Sequence, residues 1–369
     1  MKLNENIDYI LFGLTITLFQ FAGYSILTMP LLAFSAIMMF SFNYAKLQIK
    51  VNPIFTFFLA GSILIGLANL IFKDTKVHSL LMWGQFYFFA IILAGVRNQQ
   101  KLTTIIKYFV YLIFIADICS NALLTMGYNL SWTGFLPIRP GEILPRFPGV
   151  KNSSLYSGSI SFLALCFFIH EKINYRWLRW SIIILMGINL LLAGSFRYYI
   201  TLIAVILVYS LELYKKRKAL LITYAGFIVG VIIMTALTVN ISKSNELRWK
   251  LWVHTLELIE KNPLLGTGFF FQNLREHAIF SYHNLMKAGV TESTILLFAL
   301  CFGIPFAILF LAVIYKTLRK FPSYQQYAQE LGLFVGLTLD LFWGGSIDNC
   351  MSLAILLLSM YQISRHAQV

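Results

Sequence analysis

Charge is scarce in this chain. Asp, Glu, Lys and Arg make up 12% of its 369 residues, against about 25% in an ordinary soluble domain. That shortage excludes a soluble globular enzyme and a disordered protein, both of which depend on charge to stay in solution. Cysteine is scarce as well. Cys119, Cys166, Cys301 and Cys350 are scattered and lie mostly inside apolar runs. They form neither a disulfide framework nor a metal-ligand spacing, and free thiols are expected. The chain also lacks a low-complexity tract, an obvious internal repeat and any stretch resembling a soluble domain. No cleavable signal peptide is expected, because Met1 to Asp8 carries Lys2 alongside Glu5 and Asp8 and the apolar run behind it flows into a second one.

What is present is apolar. Hydrophobic residues make up 59% of the chain and aromatics 16%, with 33 Phe and 19 Tyr, and the mean hydropathy is +0.74. Aromatics at that level suit lipid contact and interfacial belts. The composition is that of a polytopic membrane protein, and at about 20 residues per crossing roughly a dozen helices fit. Net charge is +14, but the basic residues sit in short clusters between apolar runs. That is the pattern of cytoplasmic membrane loops and not of a nucleic-acid-binding face.

Apolar stretches fall at 9–27, 29–45, 53–72, 79–96, 104–126, 154–170, 178–195, 198–214, 219–240, 291–315, 329–345 and 349–364. Lipid leaves no water to satisfy backbone groups, and these runs do not alternate as barrel strands do, so helices are expected. Twelve crossings with an inside N-terminus put 17 of the 29 Lys and Arg on the inner side. The short outer turns then hold only Lys73, Lys76 and Arg197, so both termini are assigned to the inside by the positive-inside bias. Two long loops, 127–153 and 241–290, face outward. The expected fold is a single all-α transmembrane domain that invests its polar sequence on the outer side.

Loop 127–153 holds Pro137, Pro140, Pro145 and Pro148, which block regular helix. Arg139 reads as solvated. Arg146, in Pro145-Arg146-Phe147-Pro148-Gly149 just before a helix start at Ser153 and Ser154, divides evenly between a structural and a functional reading. Loop 241–290 opens with a helix capped at Ser244, with Glu246 in its first turn and Asn262-Pro263 as its stop. Trp249, Trp252, Leu256 and Ile259 are expected on one face, as in a helix lying on the membrane surface. Arg248 stands at its start, within reach of an anion at the bilayer edge. Gly266 and Gly268 permit a tight bend whose N–H groups point at a phosphate, although glycines so spaced are more often just a turn.

Arg197 stands out most. It follows Gly194-Ser195-Phe196 in a very short turn between two crossings, near membrane depth, where a charge needs a partner or a ligand. Asp348, Glu292 or a carbonyl are the structural partners considered. Asp117 and Asp340 lie inside apolar runs, and Glu292 lies at the mouth of the tenth. Intramembrane acids carry ions in transporters, but two acids without a repeat make a thin transporter case. His277 and His283 lie in the outer loop before Glu292 and are candidate bases.

Three landmarks together resemble the O-antigen polymerase and ligase family, the Wzy- and WaaL-type glycan transferases. The first is Gly194-Ser195-Phe196-Arg197, where the family more often places Ser directly before Arg. The second is Arg248-Trp249 followed by Asn262-Pro263-Leu264-Leu265-Gly266-Thr267-Gly268, the strongest match. The third is the family's His-Asn, nine residues, then Gly. Counting back from Gly303, those positions hold Glu292 and Ser293, whereas the literal pair His283-Asn284 lies nine residues earlier. The resemblance spans roughly residues 130–310, and the departure from the ligase histidine favours the polymerase branch.

The resemblance implies a GT-C-like, lipid-dependent glycosyltransferase in the bacterial inner (cytoplasmic) membrane, with its active site facing the periplasm and no cofactor. The implied partners are undecaprenyl-pyrophosphate-linked oligosaccharides, membrane lipid and a chain-length regulator. Pyrophosphate leaves with developing negative charge, which fixed arginines stabilise. Arg197 and Arg248 are the candidates, with Arg146 third, and Glu292 or else His283 is the base that deprotonates the acceptor hydroxyl. No paired acids of the DxD kind appear on the outer face, so a metal is not implied. Asp117 and Asp340 are expected to matter less. A ligase, a flippase or ion-coupled transporter, and a membrane scaffold without chemistry stay open as alternatives.

Overall fold

The computed structural model describes residues 7–22, 30–35, 37, 60, 61, 63, 64, 67, 71, 98–128, 146–150, 153–240, 243–267, 280–282, 286–288, 293–319, 328–343, 352 and 355–360. Among these residues the chain is helical apart from one short ribbon. The elements in chain order are α1 (Ile7–Ala22), α2 (Gln99–Thr125), α3 (Ser154–Phe168), α4 (Arg176–Ala193), α5 (Phe196–Ser210), α6 (Arg217–Leu237), α7 (Lys243–Lys261), β1 (Phe280–Tyr282), β2 (Met286–Ala288), α8 (Thr294–Phe302), α9 (Ile304–Arg319) and α10 (Ala328–Trp343). The two strands pair antiparallel, with Ser281 opposite Lys287.

Among the described residues, three helices are long and apolar enough to cross a membrane: most of α2 (Gln100–Thr125), α4 (Arg176–Ala193) and α6 (Lys218–Leu237). Their outer faces stay apolar. On α6, Ile222, Val229, Ile233 and Leu237 all point away from the protein, Ile222 at 72% exposure. An exterior of that kind suits hydrocarbon and not water. The helices near 104–126, 154–170, 178–195, 198–214, 219–240 and 329–345 are found close to the expected positions. The expected crossing 79–96 lies outside the described residues, and those at 29–45, 53–72 and 349–364 are described only in fragments.

Two helices form the centre. In α3, every residue from Ser157 to Phe168 is buried, as a helix enclosed on all sides must be. In α10, burial is continuous from Leu331 to Leu341, and this helix packs on α3, α5, α6 and α8. Small residues allow the close approach. A Cβ at Gly336 would lie 2.5 Å from the Phe162 ring, and one at Gly158 would lie 2.8 Å from the Tyr198 ring.

A buried polar network crosses the bundle between α2, α3 and α4. The Asp117 carboxylate accepts from Ser157 Oγ (2.5 Å), Asn189 Nδ2 (3.1 Å) and the Val150 N–H (3.0 Å). Asn121 accepts from the Gly149 N–H at 2.9 Å and donates to Asn189 at 3.0 Å. Asn189 also donates to Ser161 Oγ at 2.8 Å. In an apolar interior such groups are costly unless each is bonded.

One expectation is corrected. The run 291–315 is not a continuous helix but breaks at Gly303, which adopts φ +89° between α8 and α9. Pro305, in the first turn of α9, has no N–H to carry the helix through. The segment after α7 fills the break: Ile304 N–H donates to Pro263 O (2.8 Å) and Thr267 N–H donates to Leu300 O (2.7 Å). A Cβ at Gly303 would lie 2.0 Å from Leu264 O. Gly303→Ala therefore combines a left-handed backbone, worth about 1–3 kcal/mol, with a backbone clash. It is expected to lower the thermal unfolding midpoint in detergent by several degrees, whereas Gly187→Ala, with open space around its Cβ, leaves the midpoint unchanged or raises it.

Candidate functional site

The turn between α4 and α5 is two residues long. Gly194 ends α4 in the left-handed conformation (φ +62°), and Ser195 stands at the N-cap of α5 with its hydroxyl not used for capping. This places Arg197 in the first turn of α5. Its side chain is buried, at 8% exposure, against α10. Nε lies 3.3 Å from Asp340 Oδ1, and Asp340 is 1% exposed. Nη2 donates to Tyr198 Oη at 2.8 Å, and the guanidinium lies 4.7 Å from the centre of the Tyr198 ring. Tyr198 is fixed in turn by stacking on Phe162 of α3.

Asp340 is thus part of the Arg197 environment, a partner that was not among those considered from sequence. Neither Asp348 nor Glu292, the partners considered from sequence, is described. Asp340 and Trp343 are three residues apart on α10, so they share a helix face. Trp343 receives the second arginine: the Arg248 guanidinium lies 5.6 Å from its ring centre, within cation–π range. Arg248 Nη1 also donates to Asn245 Oδ1 at 2.8 Å, and Asn245 Nδ2 donates to Thr238 Oγ1 at the end of α6, at 2.7 Å. Arg197 and Arg248, from helices distant in sequence, therefore dock on the same turn of α10.

The third arginine comes from the strap 146–150. Phe147 N–H donates to Leu192 O near the end of α4, at 2.9 Å. The stem of Arg146 crosses Gly194, where a Cβ would lie 2.6 Å from Arg146 Cγ. Arg146 is thereby held against the turn that leads into Arg197. Glu292, His283 and His277 lie outside the described residues. Glu292 directly precedes Ser293, whose Oγ caps α8 by accepting from the Leu296 N–H at 3.4 Å.

The loop after α6 shows one further difference from the expected arrangement. The helix expected in loop 241–290 is α7, but it packs on α6 and α8 instead of simply lying on a surface. Its buried face is Leu251, Trp252, Thr255 and Ile259, while Leu256 is 53% exposed. The neighbouring helices set the buried face, one residue round from the Trp/Leu stripe. Gly268 lies outside the described residues, and the two N–H groups described in this turn are already used: Gly266 N–H donates to Asn262 O (3.0 Å), and Thr267 N–H is taken by Leu300 O. A Cβ at Gly266 would lie 2.5 Å from the Cys301 backbone, so this glycine serves close packing on α8.

Cys119, Cys166 and Cys301 are free thiols. Among the described residues, no group of three or more His, Cys, Asp or Glu side chains gathers. An open apolar groove of about 450 Å³ runs between α5 and α6, lined by Ile200, Gly226, Phe227, Gly230 and Met234. Ile200, one of its lining residues, lies three positions after Arg197 on α5. Sequence reasoning missed Asp340, Trp343 and Asn245 as members of this region. The spacing of Asp340 and Trp343 at the end of an apolar helix was the available signal. Compared with known proteins, the chain matches no family model and no curated protein.

Removing one member of a buried ion pair strands its partner, at about 3–5 kcal/mol. Arg197→Ala and Asp340→Ala are each expected to lower the thermal midpoint in detergent markedly. The double variant is expected to recover part of that loss, and additive losses would show that the two groups are not coupled.

Proposed function

We propose that this protein is a polysaccharide polymerase of the bacterial inner membrane. In this reading it transfers a glycan from undecaprenyl pyrophosphate to a sugar hydroxyl on a second lipid-linked repeat unit. The chain crosses the membrane twelve times with both termini inside, and the reaction occurs at the periplasmic face. The observation that carries the reading is the gathering of Arg197 and Arg248 on one turn of α10, with Arg146 against Gly194 at the head of α5. Cationic donors fixed in a poorly hydrated place suit a group whose negative charge grows as its bond to the sugar breaks.

The roles divide by geometry. Asp340 offsets the charge of Arg197, and with Tyr198 it fixes the guanidinium plane. Arg197 thus contributes directed N–H donors more than net charge. Arg248, stacked on Trp343, adds charge from the α7 side. The diphosphate leaves with its lipid, and the apolar groove lined by Ile200 and Phe227 is the proposed path for the tail. Glu292, or else His283, takes the proton of the attacking hydroxyl. The rest of catalysis is alignment of two long substrates.

The two acids that a transporter would use have partners within the protein. The Asp117 oxygens accept from backbone and side chains of its own bundle, and Asp340 faces Arg197. The ligase reading shares the donor chemistry and differs in acceptor.

Deleting the gene is expected to leave a surface glycan of one repeat unit. Lipid-linked polymer with no surface glycan would indicate a ligase, and an unchanged glycan with a lost solute gradient would indicate a transporter. Arg197→Ala and Arg248→Ala are each expected to cut chain extension by about 10²–10³-fold, the usual loss for one transition-state donor. Protein level in the membrane is the control.

A further inference from the structure

We infer that Asp117 and Asn121 of α2 are positioning residues for an anion-binding arginine, Arg146, acting through the strap 147–150. The inference rests on the diphosphate site proposed above. Neither residue is at that site. Both are buried in the bundle, at 3% and 5% exposure, and both spend hydrogen-bonding capacity on the backbone of a segment that has no regular structure. Asp117 Oδ1 accepts the Val150 N–H at 3.0 Å, and Asn121 Oδ1 accepts the Gly149 N–H at 2.9 Å. Two successive N–H groups of the strap are thus held by two side chains one helical turn apart on α2.

The strap and the carboxylate specify each other. Gly149 adopts φ +67°, and a Cβ there would lie 2.0 Å from Asp117 Oδ1. Only glycine lets the backbone come this close in this conformation. At the other end, Phe147 is buried and its N–H donates to Leu192 O at 2.9 Å. The strap is therefore pinned at 147, 149 and 150, and the residue just before the first pin is Arg146. Its stem passes over Gly194, where there is no Cβ to obstruct it. Ser157 and Asn189 complete the clamp by donating to Asp117 Oδ2 at 2.5 and 3.1 Å.

Packing alone does not call for this arrangement. A leucine at position 117 would fill the space between α2, α3 and α4 without the desolvation cost of a carboxylate. What the carboxylate and amide do, and an apolar side chain cannot, is receive the N–H groups of irregular backbone inside a membrane bundle. The segment so fixed delivers a guanidinium to the turn that carries Arg197.

The test is a double-mutant cycle on binding of inorganic pyrophosphate to the purified full-length protein in detergent, measured by calorimetry. Arg146→Ala is expected to weaken pyrophosphate binding about tenfold, and Asp117→Ala to weaken it by a similar factor. Together they should be no worse than Arg146→Ala alone, because the second change acts only through the first. Asn121→Ala and Gly149→Ala displace the same strap and carry the test if Asp117→Ala does not accumulate. Unchanged pyrophosphate affinity in the strap variants would overturn the inference, as would losses that multiply with Arg146→Ala. Transfer from a polyprenyl-diphosphate-linked glycan is assayed in parallel. Absent transfer with an intact cycle rejects the polymerase reading and keeps the anion site; normal transfer with a failed cycle does the reverse.

Discussion

A guanidinium and a carboxylate sit together inside an apolar bundle, and the rest of the arrangement depends on that fact. Arg197 and Asp340 are 8% and 1% exposed, where either charge alone would be very costly. Their attraction fixes the first turn of α5 against the last turn of α10. Once α10 is held there, Trp343 lies three residues from Asp340 on the same face, and the Arg248 guanidinium rests against its ring. Arg248 reaches Asn245, and Asn245 reaches Thr238. One ion pair thus sets off a chain of contacts that runs through α10 and α7 to the end of α6.

The same physics governs the irregular segments. Backbone groups buried among packed helices are cut off from water, so non-helical chain there must find partners in protein. Two segments do so in different ways. The strap 147–150 is received by polar side chains of α2 and by the carbonyl of Leu192. The turn 263–267 inserts into the break between α8 and α9 and exchanges backbone bonds with Leu300 and Ile304. Glycine appears at each contact, Gly149 in the first and Gly266 and Gly303 in the second, all with positive φ. Close backbone approach and left-handed conformation are required together at these points.

Much of the helical framework was legible in the sequence, because an apolar run bounded by Gly, Pro or charge has few options in lipid. The runs that became α2 to α6 and α10 are of this kind. The turn that carries Arg197 was legible too: Gly194 and Ser195 separate two apolar runs by the shortest possible link. The partner of Arg197 was not, since pairing of α5 with α10 is a long-range packing result that no local pattern encodes. Asp340 reads in sequence as an isolated intramembrane acid. The face of α7 was legible only in part. Periodicity showed an amphipathic helix, but α6 and α8 decide that Leu251 and Thr255 are buried and Leu256 is not. The role of the Gly266 turn was not legible, because a glycine loop that cradles an anion and one that lets two backbones touch have the same composition.

A buried ion pair is weak evidence for stability, since well-packed apolar residues in its place are often as stable or more so. Two such polar investments in one bundle, Arg197 with Asp340 and Asp117 with its donors, are hard to explain by folding alone. Both have the same local consequence. Asp340 holds one guanidinium at the head of α5, and the Asp117 network holds the segment that carries another to Gly194. Asp340 thus contacts one arginine directly, and Asp117 bonds the segment that follows another. Conversely, Arg197 lies against an acid that reads in sequence as an isolated intramembrane carboxylate.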